Sequence, residues 1–478
     1  KQKAGLQKYG GDGELIHEYF NPINELPDLN VFLGGLGRIP SIGLKGVYSE
    51  GLKFYEKNKN KKFGRIFTTR GCVARCTFCQ RSEKGYRVFA AKDLESHIIE
   101  LKEKYQSQAF YIDDENFGSN RKQSYDIARL MKKHDVFWTA AGVRVKSVTY
   151  EDLKFYKEHN MLALRFGIES GSQKILDIME KKCKKEDIYK AILNCKKAGV
   201  STPTDALMIG MIGETEETVK ESAEFITSLN YVLEKDWNIG EPAWTMAIPG
   251  TPLYEYCQQI GVIGKSLDEE EDYLIRVSEL NNKNILNYMN KTESSIKEIH
   301  YWMYLYHYAA KKEYVNLIIK NDNMSVKSKL LQLNERCIKG IFDDLIGNFK
   351  QRKKHYKNKT FFQKKKWYAL LSINFLLSFS VLFLPKTVLF PIIRAYANIR
   401  FYLLKKKNKV KKGRQKYNLF ANRSGGTANN LLLNENRIAK TNRPIDRSLR
   451  TIVMNNRNLM KPATTVEEKD LQLLAQGQ

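Results

Sequence analysis

The sequence predicts an α/β fold in which six parallel strands, each followed by helix, form an open or closed barrel. Three observations carry this reading. Between about residues 64 and 262 of the 478-residue chain, short β-type runs alternate six times with amphipathic helical patterns. Strands joined through helices pair in parallel, and successive βα units curl toward a barrel. Every polar signature in that stretch follows a β-type run, where such barrels keep their working residues.

Arg65–Thr69 reads as the first strand, leading straight into a cysteine-rich loop. Leu94, Ile98, Leu101 and Tyr105 then recur at the spacing of one helical face. Ala109–Ile112 is the second strand, with a helix near 121–134; Val136–Ala141 is the third, with Tyr150–His159 as its helix. Leu162–Ile168 is the fourth, followed by helices near 172–180 and 185–198, the latter closed by Gly199. Pro203–Ile209 and Glu216–Ser228 form the fifth unit. Ala243–Ile248 and Leu253–Ile260 form the sixth, with Pro249–Pro252 as a helix entry. Residues 1–62 read as a linker or domain remnant, 63–262 as the barrel and 263–350 as a helical C-terminal domain.

Three cysteines, Cys72, Cys76 and Cys79, lie within eight residues directly after Thr68-Thr69-Arg70-Gly71. Thiolates hold iron–sulfur clusters, and a four-iron cube takes four ligands. Three cysteines leave one iron open, as catalytic metal sites require. Structural zinc usually pairs two short clusters, and the sequence has no second one. Of the seven cysteines, Cys195, Cys257 and Cys337 fall on apolar stripes, and Cys183 sits half exposed in a lysine-rich turn. An odd, scattered set suits a reducing compartment. Other strand ends carry Asp113-Asp114-Glu115, Glu169-Ser170, Gly210-Met211-Ile212-Gly213-Glu214 and Pro249–Tyr254. Taken singly, such acidic groups read as solvated turns or helix caps.

The triplet resembles the signature of the radical S-adenosylmethionine (SAM) superfamily. The order of strand-end motifs over roughly residues 60–262 is similar to that family's core, most of all to its cobalamin-dependent and methylthiotransferase branch. The resemblance implies a partial (β/α)6 radical SAM barrel and a [4Fe–4S] cluster on Cys72, Cys76 and Cys79, with SAM on the open iron. It sets the backbone of Phe78 against adenine and Asp113, Asp114 and Glu115 toward the methionine ammonium. Glu169 and Ser170 fall beside the ribose, and Gly210, Gly213 and Glu214 in the turn next to adenine. Ile212 departs from relatives that have proline before the second glycine. The resemblance also implies reductive cleavage of SAM to a 5′-deoxyadenosyl radical, with electrons from a flavodoxin or ferredoxin type of donor. It leaves cobalamin open, together with methylation or oxidoreductase-type chemistry. No catalytic residue is assigned, and no histidine stands beside a motif.

The formal charge of +27 is unevenly spread: residues 1–344 hold 51 basic against 48 acidic side chains, and residues 345–434 hold 21 against none. Within that block, Trp367–Leu384 carries no charge, Lys364–Lys366 and Lys405–Lys407 flank the apolar stretch, and Pro385 and Pro391 interrupt it. Eighteen residues without a charge sit at the threshold for crossing a bilayer. Basic groups at both ends suit a segment lying in the membrane plane. Residues 351–412 therefore read as a membrane-association segment, effective through 364–412, and 413–478 as a disordered tail. The expectation is a cytoplasmic, membrane-associated enzyme acting on a lipid-like or apolar substrate, with nucleic acid disfavoured as partner. The alternatives are a tRNA-modifying methylthiotransferase-like enzyme, although residues 1–71 lack cysteine, and a non-catalytic iron–sulfur protein.

Overall fold

The computed structural model describes residues 63–409, apart from 81–84, 205–206, 236, 238, 265, 279–284, 286–287 and 357–360. The expectations for residues 1–62 and for the tail after 409 lie outside the described residues. A parallel sheet runs in the order β1 (Phe63–Ile66), β4 (Ala109–Ile112), β5 (Phe137–Val143), β6 (Met161–Phe166). It continues through parallel bridges Ala163–Ser201 and Glu169–Leu207 to β7 (Met208–Ile209), which pairs in parallel with β8 (Ala243–Trp244). Six parallel segments thus follow one another in chain order, as the alternating pattern predicts.

The first strand ends sooner than expected. After Ile66 the chain turns, and β2 (Thr69–Gly71) pairs antiparallel with β3 (Tyr86–Val88). The cysteine loop is therefore the tip of a hairpin standing on the sheet, a long-range pairing that no local pattern signals.

Helices cover the outer face: α1 (Ala91–Tyr105), α2 (Arg121–Lys133), α3 (Tyr150–Glu158), α4 (Gln173–Ile178), α5 (Lys185–Ala198), α6 (Glu216–Val232) and α7 (Pro252–Gln259). Their starts are chemically marked. Thr149 and Asp152 form a reciprocal capping box, and Thr251 accepts from the Tyr254 amide with Pro252 in the first turn. Gly199 closes α5 in the left-handed conformation. The outer face of the sheet packs Phe110, Trp138, Leu164 and Phe166 against these helices. Trp138 and Tyr156 meet edge to face with centroids 5.6 Å apart.

Beyond the sheet come α8 (Leu267–Ser278), α9 (Ile296–Ile319), α10 (Val326–Gln332), a π-turn over Leu333–Ile338, α11 (Lys339–Tyr356), α12 (Phe361–Ser380) and α13 (Lys386–Lys409). The aromatic run of α9 puts Tyr301, Trp302 and Tyr306 into the core. Cys183 is buried rather than half exposed, and Cys195, Cys257 and Cys337 are buried as their stripes require.

No helix among the described residues is long and apolar enough to cross a membrane. One face of α12–α13 is core: Leu377, Val381, Leu389, Ile393, Ala397 and Phe401 join the main apolar cluster. Arg394 pairs with Glu298 at 2.7 Å and also with Glu216, and Lys386 bridges Glu224 (2.7 Å) and Glu313 (3.1 Å). The opposite face is exposed and apolar, with Leu376 64%, Phe383 71% and Tyr402 67% accessible. Counted along the sequence, these cations look free; folded, two of them fasten α13 to α6 and α9.

Candidate active site

The site is built on the cysteine hairpin. Its base is clamped by Asp114, whose carboxylate accepts from the amides of Thr68 (2.7 Å) and Thr69 (3.1 Å) and from the Thr68 hydroxyl (2.5 Å). The tip is pinned by Thr77, which lies inside the triplet. Its amide and hydroxyl donate to Met179 O and Ile178 O, both at 3.0 Å, and its carbonyl accepts from the Leu253 amide at 2.9 Å. The loop is thus held between the end of α4 and the start of α7.

Cys72, Cys76 and Cys79 are all free, the last exposed. Burial raises the pKa of Cys76; Cys79 reaches solvent, but the surrounding loop still desolvates its sulfur and pushes it up to about 12, with Cys76 and Cys72 adding to the effect. Thiols that oppose one another's ionisation become ligands only when a cation compensates them. The Ala74 amide already donates to Cys72 Sγ at 3.3 Å, the kind of bond that tunes cluster sulfurs. Among the described residues no three metal-binding side chains stand in a finished metal geometry. Three closely spaced thiols are the donor type an iron–sulfur cluster takes.

Beside the loop, Lys181 lies 3.5 Å from Glu169 and 6.0 Å from the centre of the Phe78 ring. Burial favours its neutral form, but Glu169 and Cys76 outweigh that and raise its pKa. It stays cationic. Glu169 adopts φ +65°, a region costly for a non-glycine residue. The Met208 amide, donating to Glu169 O at 2.9 Å, holds it there. Lys181 was invisible in sequence because its turn reads only as lysine-rich.

The acidic triple after β4 divides three ways. Asp114 is the clamp. Asp113 pairs with Arg65 at 3.4 Å on the inner face of the sheet. Glu115 lies near enough to Cys79 to oppose its ionisation. Ser170 is buried and shares a hydrogen bond of 3.1 Å with Ser222 of α6, which also accepts from the Gly171 amide at 3.1 Å. A Cβ at Gly171 would meet Ser222 Cα at 2.7 Å, which explains the glycine.

The turn after β7 is closed by Glu214, which accepts from the amides of Gly210 (2.6 Å) and Met211 (3.1 Å). Burial lifts its pKa to about 7 against those bonds. Gly210 and Gly213 take φ +90° and +75°, which glycine alone enters freely. Ile212 is buried in the apolar cluster with Ile175 and Ile178, so the turn holds without proline. Tyr288 donates to Gly210 O at 2.5 Å and accepts from Lys291 at 3.0 Å. Lys291 also donates to Thr245 O at 2.5 Å, and burial draws its pKa down to about 8. Both residues arrive from a distant loop and carry no sequence signal.

Asn116 Nδ2, Ser172 Oγ, Glu214 Oε1, Trp244 Nε1 and Thr245 Oγ1 are buried with no hydrogen-bond partner in the protein. Buried polar atoms are normally paired. These five atoms lie in or after β4, β6, β7 and β8, toward the strand ends where the other motifs fall.

The sequence profile of the radical SAM superfamily matches residues 66–226. An uncharacterized methyltransferase of Pyrococcus horikoshii is 30% identical over 199 residues, 41% of this chain and 42% of the relative. An anaerobic magnesium-protoporphyrin IX monomethyl ester cyclase of Rubrivivax gelatinosus is 26% identical over 42% of this chain and 36% of its own. The chain therefore spans about two fifths of the length of these relatives. A radical SAM methyltransferase of Kitasatospora setae, TsrM, superposes with TM-score 0.36 and 15% identity, covering 45% of this chain and 43% of that one. The matched stretch runs from the first strand through the cysteine hairpin to α6, and over those residues the chain is similar to the radical SAM superfamily.

Proposed function

We propose that this chain is a radical SAM enzyme, binding a [4Fe–4S] cluster through Cys72, Cys76 and Cys79 and modifying a small molecule held in the barrel. When bound, the cluster supplies one electron to SAM, releasing methionine and a 5′-deoxyadenosyl radical. The observation that carries the reading is the triplet in the loop of a hairpin clamped to the ends of a parallel sheet through Asp114 and Thr77. The chain's own share is binding, orientation and exclusion of water. Glu115, Glu169 and Lys181 offer charges to the ammonium, ribose and carboxylate of SAM. Asp114, Ser170 and Glu214, which the resemblance sets against SAM, hold the loops that shape its site. Phe78 and the Gly210–Glu214 turn flank the adenine. Methyltransferase names among the relatives support methylation as the outcome, and cobalamin stays open with it.

The exposed face of α12–α13 supports a peripheral seat on a membrane. Its apolar ridge lies between basic clusters, and the 345–434 block holds no acidic residue. Lysine and arginine near an anionic surface contribute roughly 1 kcal/mol each. A cytoplasmic enzyme reaching an apolar substrate there agrees with this ridge.

Anaerobic reconstitution with iron and sulfide, then dithionite and SAM, tests the enzyme. The expected products are methionine and 5′-deoxyadenosine, joined by demethylated SAM where a methyl group is transferred. A cluster spectrum indifferent to SAM, with no SAM-derived product, defeats the reading.

A further inference from the structure

The β7–β8 ladder stops one bond short of the glycine turn. Elsewhere in the sheet a parallel residue uses both of its backbone groups: the Ser201 amide donates to Leu162 O, and Ser201 O accepts from the Leu164 amide. At the end of β8 the Thr245 amide donates to Ile209 O at 2.8 Å. By the same pattern Thr245 O should accept from the Met211 amide. That bond is replaced at both ends. The Met211 amide donates to Glu214 Oε2 at 3.1 Å, and Thr245 O accepts from Lys291 Nζ at 2.5 Å.

Lys291 does more than take the place of an amide. Its ammonium also donates to the Tyr288 hydroxyl at 3.0 Å, and that hydroxyl donates to Gly210 O at 2.5 Å. The Gly210 amide is held from the other side by Glu214 Oε2 at 2.6 Å. Both backbone groups of Gly210 therefore rest on buried side chains where the ladder ends. The Tyr288 ring packs against Trp244 of β8 with centroids 5.3 Å apart, which fixes the hydroxyl. Lys291 is 7% exposed, and neither of its two hydrogen-bond partners is a carboxylate. A desolvated cation without a bonded carboxylate is costly beside an apolar side chain of similar volume. Packing alone does not explain a lysine here.

We propose that Lys291, acting with Tyr288, is a positioning residue for SAM: with the Glu214 carboxylate its ammonium replaces the missing ladder bond and fixes the glycine turn. The inference rests on the radical SAM reading for what the turn receives. The titratable groups around Lys291 are Tyr288 and Glu293 of its own loop, Glu214 of the turn, Cys257 of α7 and Tyr273 of α8. Burial keeps Cys257 and both tyrosines protonated at neutral and mildly alkaline pH. Lys291, drawn down to about 8, is the group that loses its proton there, and Glu214, at about 7, is by then ionised. The neutral amine still donates, but charge-assisted bonds are roughly twice as strong.

The reconstituted full chain tests this through Lys291→Met and Tyr288→Phe. SAM affinity is read from the cluster spectrum from about pH 6.5 to about 9.5, and hydrogen exchange on the peptide holding residues 208–214. Both variants should exchange faster there. Below about pH 8 both should bind SAM about tenfold more weakly or worse. The ratio of the Lys291→Met Kd to the wild-type Kd should shrink above that pH, where wild type loses the charge too; the titration of SAM itself cancels in the ratio. A lysine that only stabilises the fold would lower the urea midpoint and leave the ratio at one. That result overturns the proposal, as does a raised ratio indifferent to pH, or exchange unchanged in both variants. A wild type that loads its cluster but does not respond to SAM removes the radical SAM reading, and the role toward SAM with it; faster exchange in the variants then leaves Lys291 as a holder of the turn alone.

Discussion

Replacing Asp114 should show how strongly the fold underwrites the cysteine hairpin. Its carboxylate is buried, satisfies two backbone amides and one hydroxyl, and burial still lifts its pKa from 3.8 to about 6 against those three bonds. A raised carboxyl pKa favours the protonated folded state. That stability is full below the unfolded value and is lost as pH rises through the folded one. A rise of this size corresponds to on the order of 3 kcal/mol, lost between about pH 4 and about pH 6. Asn keeps the carbonyl acceptor for both amides, and the Thr68 hydroxyl can rotate to accept from its NH2. Asp114→Asn should therefore lack this pH-dependent loss and approach or exceed wild-type stability near pH 7. Asp114→Ala leaves two amides and a hydroxyl buried and unmet, at about 1–3 kcal/mol each before relaxation, and should be destabilised throughout. Anaerobic urea unfolding of the cluster-free protein across that pH range measures all three. Parallel pH profiles for wild type and the Asn variant would refute the reasoning, as would an Ala variant of wild-type stability.

The other expectations are simpler to read. Alanine at Cys72, Cys76 or Cys79 should abolish cluster loading, seen as lost visible absorbance and iron content, while leaving the melting temperature of the cluster-free protein nearly unchanged. Gly210→Ala places a methyl 2.8 Å from Tyr288 Cζ at φ +90°; it should cost about 1–3 kcal/mol in urea unfolding and weaken SAM binding. Arg394→Ala removes a bidentate pair with Glu298 and a contact with Glu216. Partly exposed pairs are worth about 0.2–1 kcal/mol each, so a loss of about 0.4–2 kcal/mol and easier proteolysis of α13 are expected. Glutamates at Leu376, Phe383 and Tyr402 should abolish sedimentation with anionic vesicles at unchanged melting temperature; retained sedimentation would remove the membrane seat.

The βα succession was legible because each element declares itself locally. The stripe Leu94–Ile98–Leu101 became the buried face of α1, and Gly199 and Thr251 mark helix ends by their own chemistry. What stayed hidden depends on contacts between distant segments. The β2–β3 pairing needs Thr69 to meet Val88. Thr77 matters only because Met179 and Leu253 converge on it, and Tyr288 only because it lands on Gly210. Likewise the cysteine triplet was legible as a unit, while Lys181, its cationic neighbour, was one lysine among several.

Residue type alone also overstates how many carboxylates a ligand can use. A carboxylate that accepts at both oxygens has committed them to the fold, as Asp114 does at the hairpin base, whereas Glu214 gives Oε2 to two amides of the glycine turn and leaves Oε1 over. One whose neighbour is a cation, like Glu169 beside Lys181, can exchange that partner for a ligand's charged group at small cost, because Lys181 then pairs with an anion of the same ligand. SAM carries both an ammonium and a carboxylate, and such a pair can open to receive both charges. The burial of Asp114 and Glu214 has a complementary use. Fully enclosed, they would keep the two loops in place if Glu169 and Lys181 exchanged partners for a ligand, so fixed and exchangeable charges would divide the work along the same row of strand ends.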